Sequence, residues 1–360
     1  TVNMLTNNPY EKFTPFVDDR LDGTPLRMPL VSVIVTSYNY ARYIGQCIQS
    51  IDQQTYENFH CVVVDDCSTD DSISVIKKAF AECKGAEKFS LVSTKTNGGQ
   101  MVAMKRGLAQ ATGAFVVMVD SDDYLLNDFI ETHLKAHLGR LTVAVTSSIQ
   151  YQINGNGEII GGNHHDNQNN GTFRHIYHTQ LHNPFWLWAT CSSMMFRRLA
   201  LELAMPDKHL DGLRICADNY LVHFCNLIGG SLLIPSIQGC YRRHGQNGFG
   251  KNAIIGGHLS VGDMSEHPDH ETVRKMVVER LFDIHPQLKR LVGEGGFMNL
   301  LMRTAFIREL PSLKGRYPRI LDRELSYYRG EFMRFRYLYK YWGLKGRIKS
   351  LLSHRERLRV

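Results

Sequence analysis

Residues 116–123 run Val116-Val117-Met118-Val119-Asp120-Ser121-Asp122-Asp123, an apolar stretch of strand length that stops abruptly in three carboxylates. A buried strand that discharges acids at its C-terminal end is how an open α/β sheet builds a ligand site. Carboxylates packed this closely repel one another and invite a shared proton or a cation. Mg²⁺ suits such a place, because it takes one or two carboxylates and fills the rest of its shell with phosphate oxygens and water. Asp and Ser also favour plain solvated turns, so the surroundings must decide.

The surroundings favour a sheet. Val31–Thr36, Phe59–Val64 and Phe89–Thr94 are further apolar runs, and the second ends in Asp65-Asp66. Between them lie helical patterns. Ala41–Asp52 sets Ile44, Ile48 and Ile51 on one face, and Met101–Ala111 stops before Gly113. Ser68-Thr69-Asp70-Asp71-Ser72 is expected to give an N-cap and an acidic first turn to a helix through Phe80. Strands alternating with such helices imply βαβ units and a largely parallel sheet.

After Asp123 the pattern changes. Helices are expected over 129–138, 199–204 and 219–227, strands over 143–152, 192–196 and 232–237, and a polar Asn/Gly-rich loop over 154–171. From Glu271 onward the sequence reads almost wholly helical, and Pro9, Pro15, Pro25 and Pro29 punctuate an N-terminal arm. The expected division is an arm over 1–29, an α/β domain over 30–255 and a helical basic region over 256–360.

The net charge of +7 is unevenly placed. Residues 314–360 carry fourteen Lys/Arg against four Asp/Glu, which leaves the rest of the chain mildly acidic. Such a tail points to an anionic surface as partner. Tyr328, Phe332, Phe335, Tyr339 and Trp342 form an aromatic stripe at helical spacing within it. An interfacial membrane helix and a face packed on protein both fit that stripe. Nucleic acid is not expected, because the body is acidic and no recognition motif accompanies the tail. Eight Cys without a C-x-x-C pair suit a reduced, cytosolic setting, peripheral on the inner face of a membrane if the tail docks there. No apolar run approaches the roughly 18 residues of a membrane span, and Thr1-Val2-Asn3 shows no signal pattern.

No G-x-G-x-x-G follows the first strand, which argues against a dinucleotide dehydrogenase. Gly245 to Lys251 has P-loop spacing, but Asn252 replaces the Ser/Thr and no helix pattern opens there. What remains is a set of ordered motifs: Val31–Asn39 with its Thr36-Ser37-Tyr38-Asn39 end, Gln54-Thr55-Tyr56, Val64–Asp70, Asn97-Gly98-Gly99-Gln100 and Val119–Tyr124. Together, from about Pro29 to Gly250, they resemble the family 2 glycosyltransferases of the GT-A fold.

The resemblance implies a Rossmann-like mixed α/β sheet flanked by helices, with the helical C-terminal region as an extension. It also implies a nucleotide-binding half over 30–123 and an acceptor half over 124–255. Asp66 would read the base, uracil through its N3–H, with Thr36 and Tyr38 lining the pocket, while Asp65 orients the loop after its strand. Gln100, Asp120 and Ser121 would complete the nucleotide side, Asp120 toward the ribose. Asp122 would bind Mn²⁺ or Mg²⁺, with Asp123 as the other candidate, and His244 would approach the same metal. Asp218, in Ala217-Asp218 where the family has Glu-Asp, would be the general base; a plain helix N-cap is its other reading. Arg242 and Arg243 could pair with phosphate. Trp186 and Trp188 are core aromatics by default and an acceptor platform by the sharper reading.

The implied activity is inverting, metal-dependent transfer of one sugar from a nucleotide sugar, with UDP as carrier, to a glycan or lipid-linked acceptor. The absent Q-x-x-R-W signature favours single addition. The alternatives are a catalytically silent binding protein of the same fold, kept open by the missing Glu, and a nucleotidyltransferase.

Overall fold

Four parallel strands carry the first half: β1 (Val31–Ser37), β2 (Phe59–Asp65), β3 (Phe89–Ser93) and β4 (Phe115–Asp120), in the order β3-β2-β1-β4. The computed structural model describes residues 28–139, 143–162, 172–176, 181, 186–208, 210–245, 247, 270–304, 306–327 and 329–330. These fall into two units, one within Thr1–Tyr177 and Trp186–His267, the other within His178–Phe185 and Pro268–Val360. Residues 1–27 of the expected arm lie outside the described residues.

In the first unit the chain steps outward from β1 to β3, then returns to the other side of β1 as β4. Strand order therefore reverses between β1 and β4, the place where open α/β sheets bind ligands. The register aligns Thr36 with Asp120 and Ser37 with Asp65, so the polar ends of β1, β2 and β4 emerge together. One face of the sheet is closed by α1 (Ile44–Asp52) and α2 (Ser72–Glu82), whose Ile44, Ile48, Ile51 and Ile76 pack with Val31, Val33, Val35, Val63 and Val117. On the other face α3 (Gln100–Gln110) comes so close that a Cβ on Gly107 would lie 2.3 Å from Ile34 Cγ2.

The second half is mixed, as the resemblance implies. It contains β5 (Tyr124–Leu125), α4 (Phe129–Leu138), β6 (Val145–Asn154), β7 (Ile159–Gly161), β8 (Arg174–Ile176), β9 (Met194–Arg197), α5 (Arg198–Ala204), α6 (Ala217–Gly229) and β10 (Ser231–Arg243). The sheet continues β4-β9-β6-β10-β5, with β7 on β6 and β8 on β10. β9 runs antiparallel to both β4 and β6, whereas β6 and β10 are parallel. The short β5, β7 and β8 escape a periodicity reading because two or three residues carry no alternation. β10 outruns its apolar segment, since its later half is held by backbone pairing to β6 and β5.

Local expectations shift at three places. The first helix begins at Ile44, because Tyr38–Tyr43 belong to the loop that β1 feeds. α2 has Asp71 at its N-cap without a side-chain cap bond and no acid in its first turn. Asp70 instead accepts from Ser72 and reaches back to the Ala41 N–H at 3.1 Å, tying two loops together. Ser192 lies in a 3₁₀ turn before β9.

The second unit is helical, as expected from Glu271 onward: α7 (His270–Asp283), α8 (His285–Arg303) and α9 (Leu310–Arg316), with helix resuming over 318–327. α8 bends at Gly293, where φ is +71°. Phe282, Phe297, Phe306, Leu313 and Leu321 are buried, and so is Glu324, which pairs with Lys289. The first part of the basic region is thus a packing element. The aromatic stripe that begins at Tyr328 lies outside the described residues.

Gly107→Ala should destabilise the chain by about 1–3 kcal/mol through overpacking, read as a lower urea midpoint with unchanged m-value. A neutral result would mean that α3 lies farther from the sheet.

Candidate active site

The loop that leaves β4 turns tightly, with the Asp123 N–H donating to the Asp120 carbonyl at 3.0 Å and the Ser121 N–H to the Thr36 carbonyl at 3.2 Å. Asp122 and Asp123 are buried, 7% and 1% exposed. Burial, then the charges of Asp122 and Asp218, push the Asp120 carboxyl up to about 8, against hydrogen bonds from Gln100 and Thr36. Burial and the charges of Asp122 and Asp120 also raise Asp123 well above the carboxylate range. The Tyr40 phenol faces the same three acids and is raised by burial and by them. Among the described residues the buried Ser121 hydroxyl has no hydrogen-bond partner.

Two loops line the other side. Asp66 is buried, its Oδ1 accepting from Thr94 Oγ1 at 2.9 Å and the Gly98 N–H at 3.1 Å, its Oδ2 from the Gly99 N–H at 2.6 Å. It therefore shapes the Asn97–Gln100 turn, while Oδ2, with one bond, keeps capacity for a further donor. Asp65 orients its own loop, accepting from the Ser68 N–H at 3.0 Å. Tyr38 stands 41% exposed at the end of β1, a ring with a free face. Among the described residues the non-glycine residues with positive φ are Asn39, Cys67 and Cys216, and all three sit in loops of this edge. Such backbone strain gathers at functional sites.

The end of β10 clamps the acidic loop from the opposite flank. His244 Nε2 lies 2.9 Å from Asp122 Oδ2, and Asn247 Nδ2 donates to the same oxygen at 3.3 Å. The Arg242 N–H donates to Asp123 Oδ1 at 2.9 Å and its Nε to the Asp122 carbonyl at 2.8 Å, while its other nitrogens reach Gln46, Asn154 and Gly155. Arg242 is thus a buried brace of the loop, its guanidinium 4.7 Å from the Tyr43 ring. Arg243 is buried beside Tyr241.

Asp218 lies in the first turn of α6, where Cys216 is the N-cap and makes no side-chain cap bond. Asp218 thus lies inside the helix and is not its N-cap residue. Burial pushes the Asp218 carboxyl up to about 6, against backbone N–H groups that favour the anion. Gln100 joins this helix to β4: its Nε2 donates to Asp120 Oδ1 at 2.9 Å, and its Oε1 accepts from the Ala217 N–H at 2.9 Å. Trp188 is fully buried, edge-on to His223 at 5.2 Å, so it takes its core reading. Trp186 is half-buried against it at 5.6 Å.

The structure brings together Thr36, Asp66, Gln100, Asp120, Ser121, Asp122, Asp218 and His244. Sequence reasoning missed Tyr40, Gln46, Thr94, Ser192 and Asn247, which reach the acids or the loops that hold them. Tyr40 and Asn247 each lie within three residues of a motif position, the one signal that could have exposed them. Among the described residues no three His, Cys, Asp or Glu side chains form a ready-made metal cage. Asp122 and His244 are the residues that could hold a cation, a carboxylate and an imidazole whose donor types suit Mn²⁺ or Mg²⁺, while the Asn247 amide is engaged by the His244 N–H, Asp122 and the Arg242 carbonyl.

A mixed sheet with this order and acids at the β1/β4 reversal define a GT-A type fold, with the half-buried Asp218 at the start of α6. Residues 32–202 match the Glycosyl transferase family 2 model, and the chain carries a domain of that family of transferase enzymes. It is 32% identical over 151 residues to the hyaluronan synthase of Pasteurella multocida, covering 42% of this chain and 15% of that protein. It is 28% identical over 233 residues to an uncharacterized glycosyltransferase of Nostoc sp., covering 60% of this chain and 66% of that one. The chain spans only a small part of the length of the synthase it matches. Among solved structures, S. aureus TarS 1–349 in complex with UDP-GlcNAc shares the fold with a TM-score of 0.51 at 19% identity, covering 80% of this chain and 76% of that one.

The raised Asp218 carboxyl has a stability consequence. A carboxyl that titrates higher when folded stabilises the fold fully below its ordinary value of 3.8, and that contribution is lost as pH rises through about 6. Asp218→Asn cannot ionise. Its Tm should match wild type near pH 4 and exceed it at pH 8; an equal or lower Tm at pH 8 would place the carboxyl in a wetter setting.

Proposed function

We propose that the chain is an inverting, metal-dependent glycosyltransferase that moves one sugar from a UDP-sugar to an acceptor hydroxyl in polysaccharide or glycolipid synthesis. The observation that carries this reading is the convergence of Asp120 on the Asp218 helix through Gln100, near enough that the Asp218 charge raises Asp120. The polysaccharide synthase among the relatives and the UDP-GlcNAc held by TarS support it.

Tyr38 would stack on the base, Asp66 would accept the uracil N3–H, and Thr36, Asp120 and Ser121 would line the ribose side. Asp122 and His244 would hold the Mn²⁺ or Mg²⁺, which would supply Lewis-acid neutralisation of the departing diphosphate. The Asp218 carboxylate takes the proton from the acceptor hydroxyl while that oxygen attacks the anomeric carbon. The bond from carbon to diphosphate oxygen breaks in the same step, its electron pair leaves with UDP, and the anomeric centre inverts. A base titrating at about 6 is ionised at neutral pH yet still accepts a proton readily. The half-buried Trp186 offers the acceptor an aromatic edge. The acceptor is a glycan or a lipid-linked sugar, presented at the cytoplasmic face of a membrane that the basic tail engages. Among the described residues no helix is long and apolar enough to cross a membrane.

Asp218→Asn should lower transfer by about 10²–10⁴-fold, with UDP affinity nearly unchanged. Near-normal transfer would move the base elsewhere. In thermal-shift titrations UDP should stabilise the chain with Mn²⁺, and Asp122→Ala should abolish that gain; equal stabilisation in excess EDTA would remove the metal from the site. Trimming the chain after residue 330 keeps the buried Leu321 and Glu324. It should end salt-sensitive co-sedimentation with anionic vesicles, and a full chain that ignores such vesicles at low salt would leave the tail as a packing element.

A further inference from the structure

The turn Asn97–Gln100 is the seat on which the base-bearing helix rests. Arg214, three residues ahead of Ala217, donates from a terminal guanidinium nitrogen to Asn97 Oδ1 at 2.7 Å, and its carbonyl accepts the Gln100 N–H at 2.8 Å. Gly99 allows the approach: its φ is +85°, and a Cβ there would lie 2.7 Å from Arg214 Cα. Asp66 pins the same turn from below through the Gly98 and Gly99 N–H groups. Of this group, Gln100 alone reaches both acids' supports, with its amide nitrogen on Asp120 Oδ1 and its amide oxygen on the Ala217 N–H. Ala217 adjoins Asp218, and its amide is one of the orphan donors that a helix start must satisfy.

We propose that Gln100 is a positioning residue and not a nucleotide contact: a strut that fixes the distance between the donor-side Asp120 and the helix start carrying Asp218. Each end of its carboxamide bonds a protein group, which fixes its orientation between Asp120 and the Ala217 N–H. Its backbone belongs to the first turn of α3, which the close Gly107–Ile34 contact locks against the sheet. The strut is therefore referenced to the rigid part of the domain. A base displaced by a fraction of an ångström from its acceptor loses rate steeply, whereas of the donor-side residues Gln100 bonds Asp120 alone and leaves Tyr38, Asp66 and Asp122 untouched.

This inference rests on the transferase reading for its kinetic arm only. Gln100→Met keeps the length and removes both polar ends; Gln100→Glu keeps an acceptor for the Ala217 N–H. Amide hydrogen exchange over residues 214–220 should quicken in Gln100→Met and return toward wild type in Gln100→Glu. In the same Gln100→Met protein, kcat should fall about 10- to 100-fold, while UDP affinity measured by calorimetry with Mn²⁺ should hold within about twofold. In an Asp218→Asn background the Met substitution should cost less than about twofold more, because the two act through one group. Unchanged exchange over 214–220, a loss of UDP affinity as large as the loss in kcat/KM, or a full additional penalty in Asp218→Asn would each overturn the proposal. A wild-type chain that neither binds UDP nor transfers sugar would sink the functional reading instead, and exchange alone would then decide the strut.

Discussion

Mutual repulsion among Asp120, Asp122, Asp123 and Asp218, with little water to screen it, is the constraint around which this edge of the sheet is built. Two responses are visible. Burial with like charges nearby pushes Asp120 and Asp123 toward their protonated forms, and burial alone does so for Asp218. Donors from separate elements then divide what charge remains: Gln100 at Asp120, the Arg242 backbone at Asp123, His244 and Asn247 at Asp122. A site so arranged is unstable in itself and gains from a ligand that brings positive charge, the usual bargain between activity and stability in an active site.

The holding elements come from far apart in the chain, and this explains the topology's usefulness. β4 supplies the acids, β10 the clamp, α3 the bridge and α6 the carboxyl of Asp218. Parallel register between β1 and β4 fixes where the acids emerge, and the pairing of β10 with β5 brings Arg242 and His244 across to them. Arg242 illustrates the division of labour. The resemblance offers its charge to phosphate, yet its donors end on the Asp122 carbonyl, Gln46 and main-chain oxygens. It stiffens the loop that would meet the phosphates.

Much of this was legible in the sequence because the informative groups lie at strand ends, where an apolar run stops and polar chemistry begins. β1 to β4, α1 to α4 and the two acidic clusters follow from that punctuation. What escaped has physical reasons. β5, β7 and β8 are too short to show a period, and the second half of β10 is held by pairing with β5 and β6, not by apolarity. Ser68–Ser72 supplies the N-cap at Asp71 as expected, but without a side-chain cap bond or an acid in the first turn, and Asp70 bonds to another loop, a tertiary contact invisible to local pattern. The resemblance puts Gln100 on the nucleotide side, and only the structure reveals that its amide bonds protein groups at both ends. The positions of Tyr40 and Asn247 likewise depend on loops that meet only in three dimensions.

The most direct measurement is ³¹P relaxation of UDP in the presence of the protein and substoichiometric Mn²⁺. A nucleoside diphosphate seated at the β1/β4 reversal with its metal on Asp122 would show both phosphorus resonances strongly broadened by wild type. Asp122→Ala, although folded, would leave them near their protein-free widths. Equal broadening by the Asp122 variant, or none by wild type, would contradict the assignment of this edge as the site.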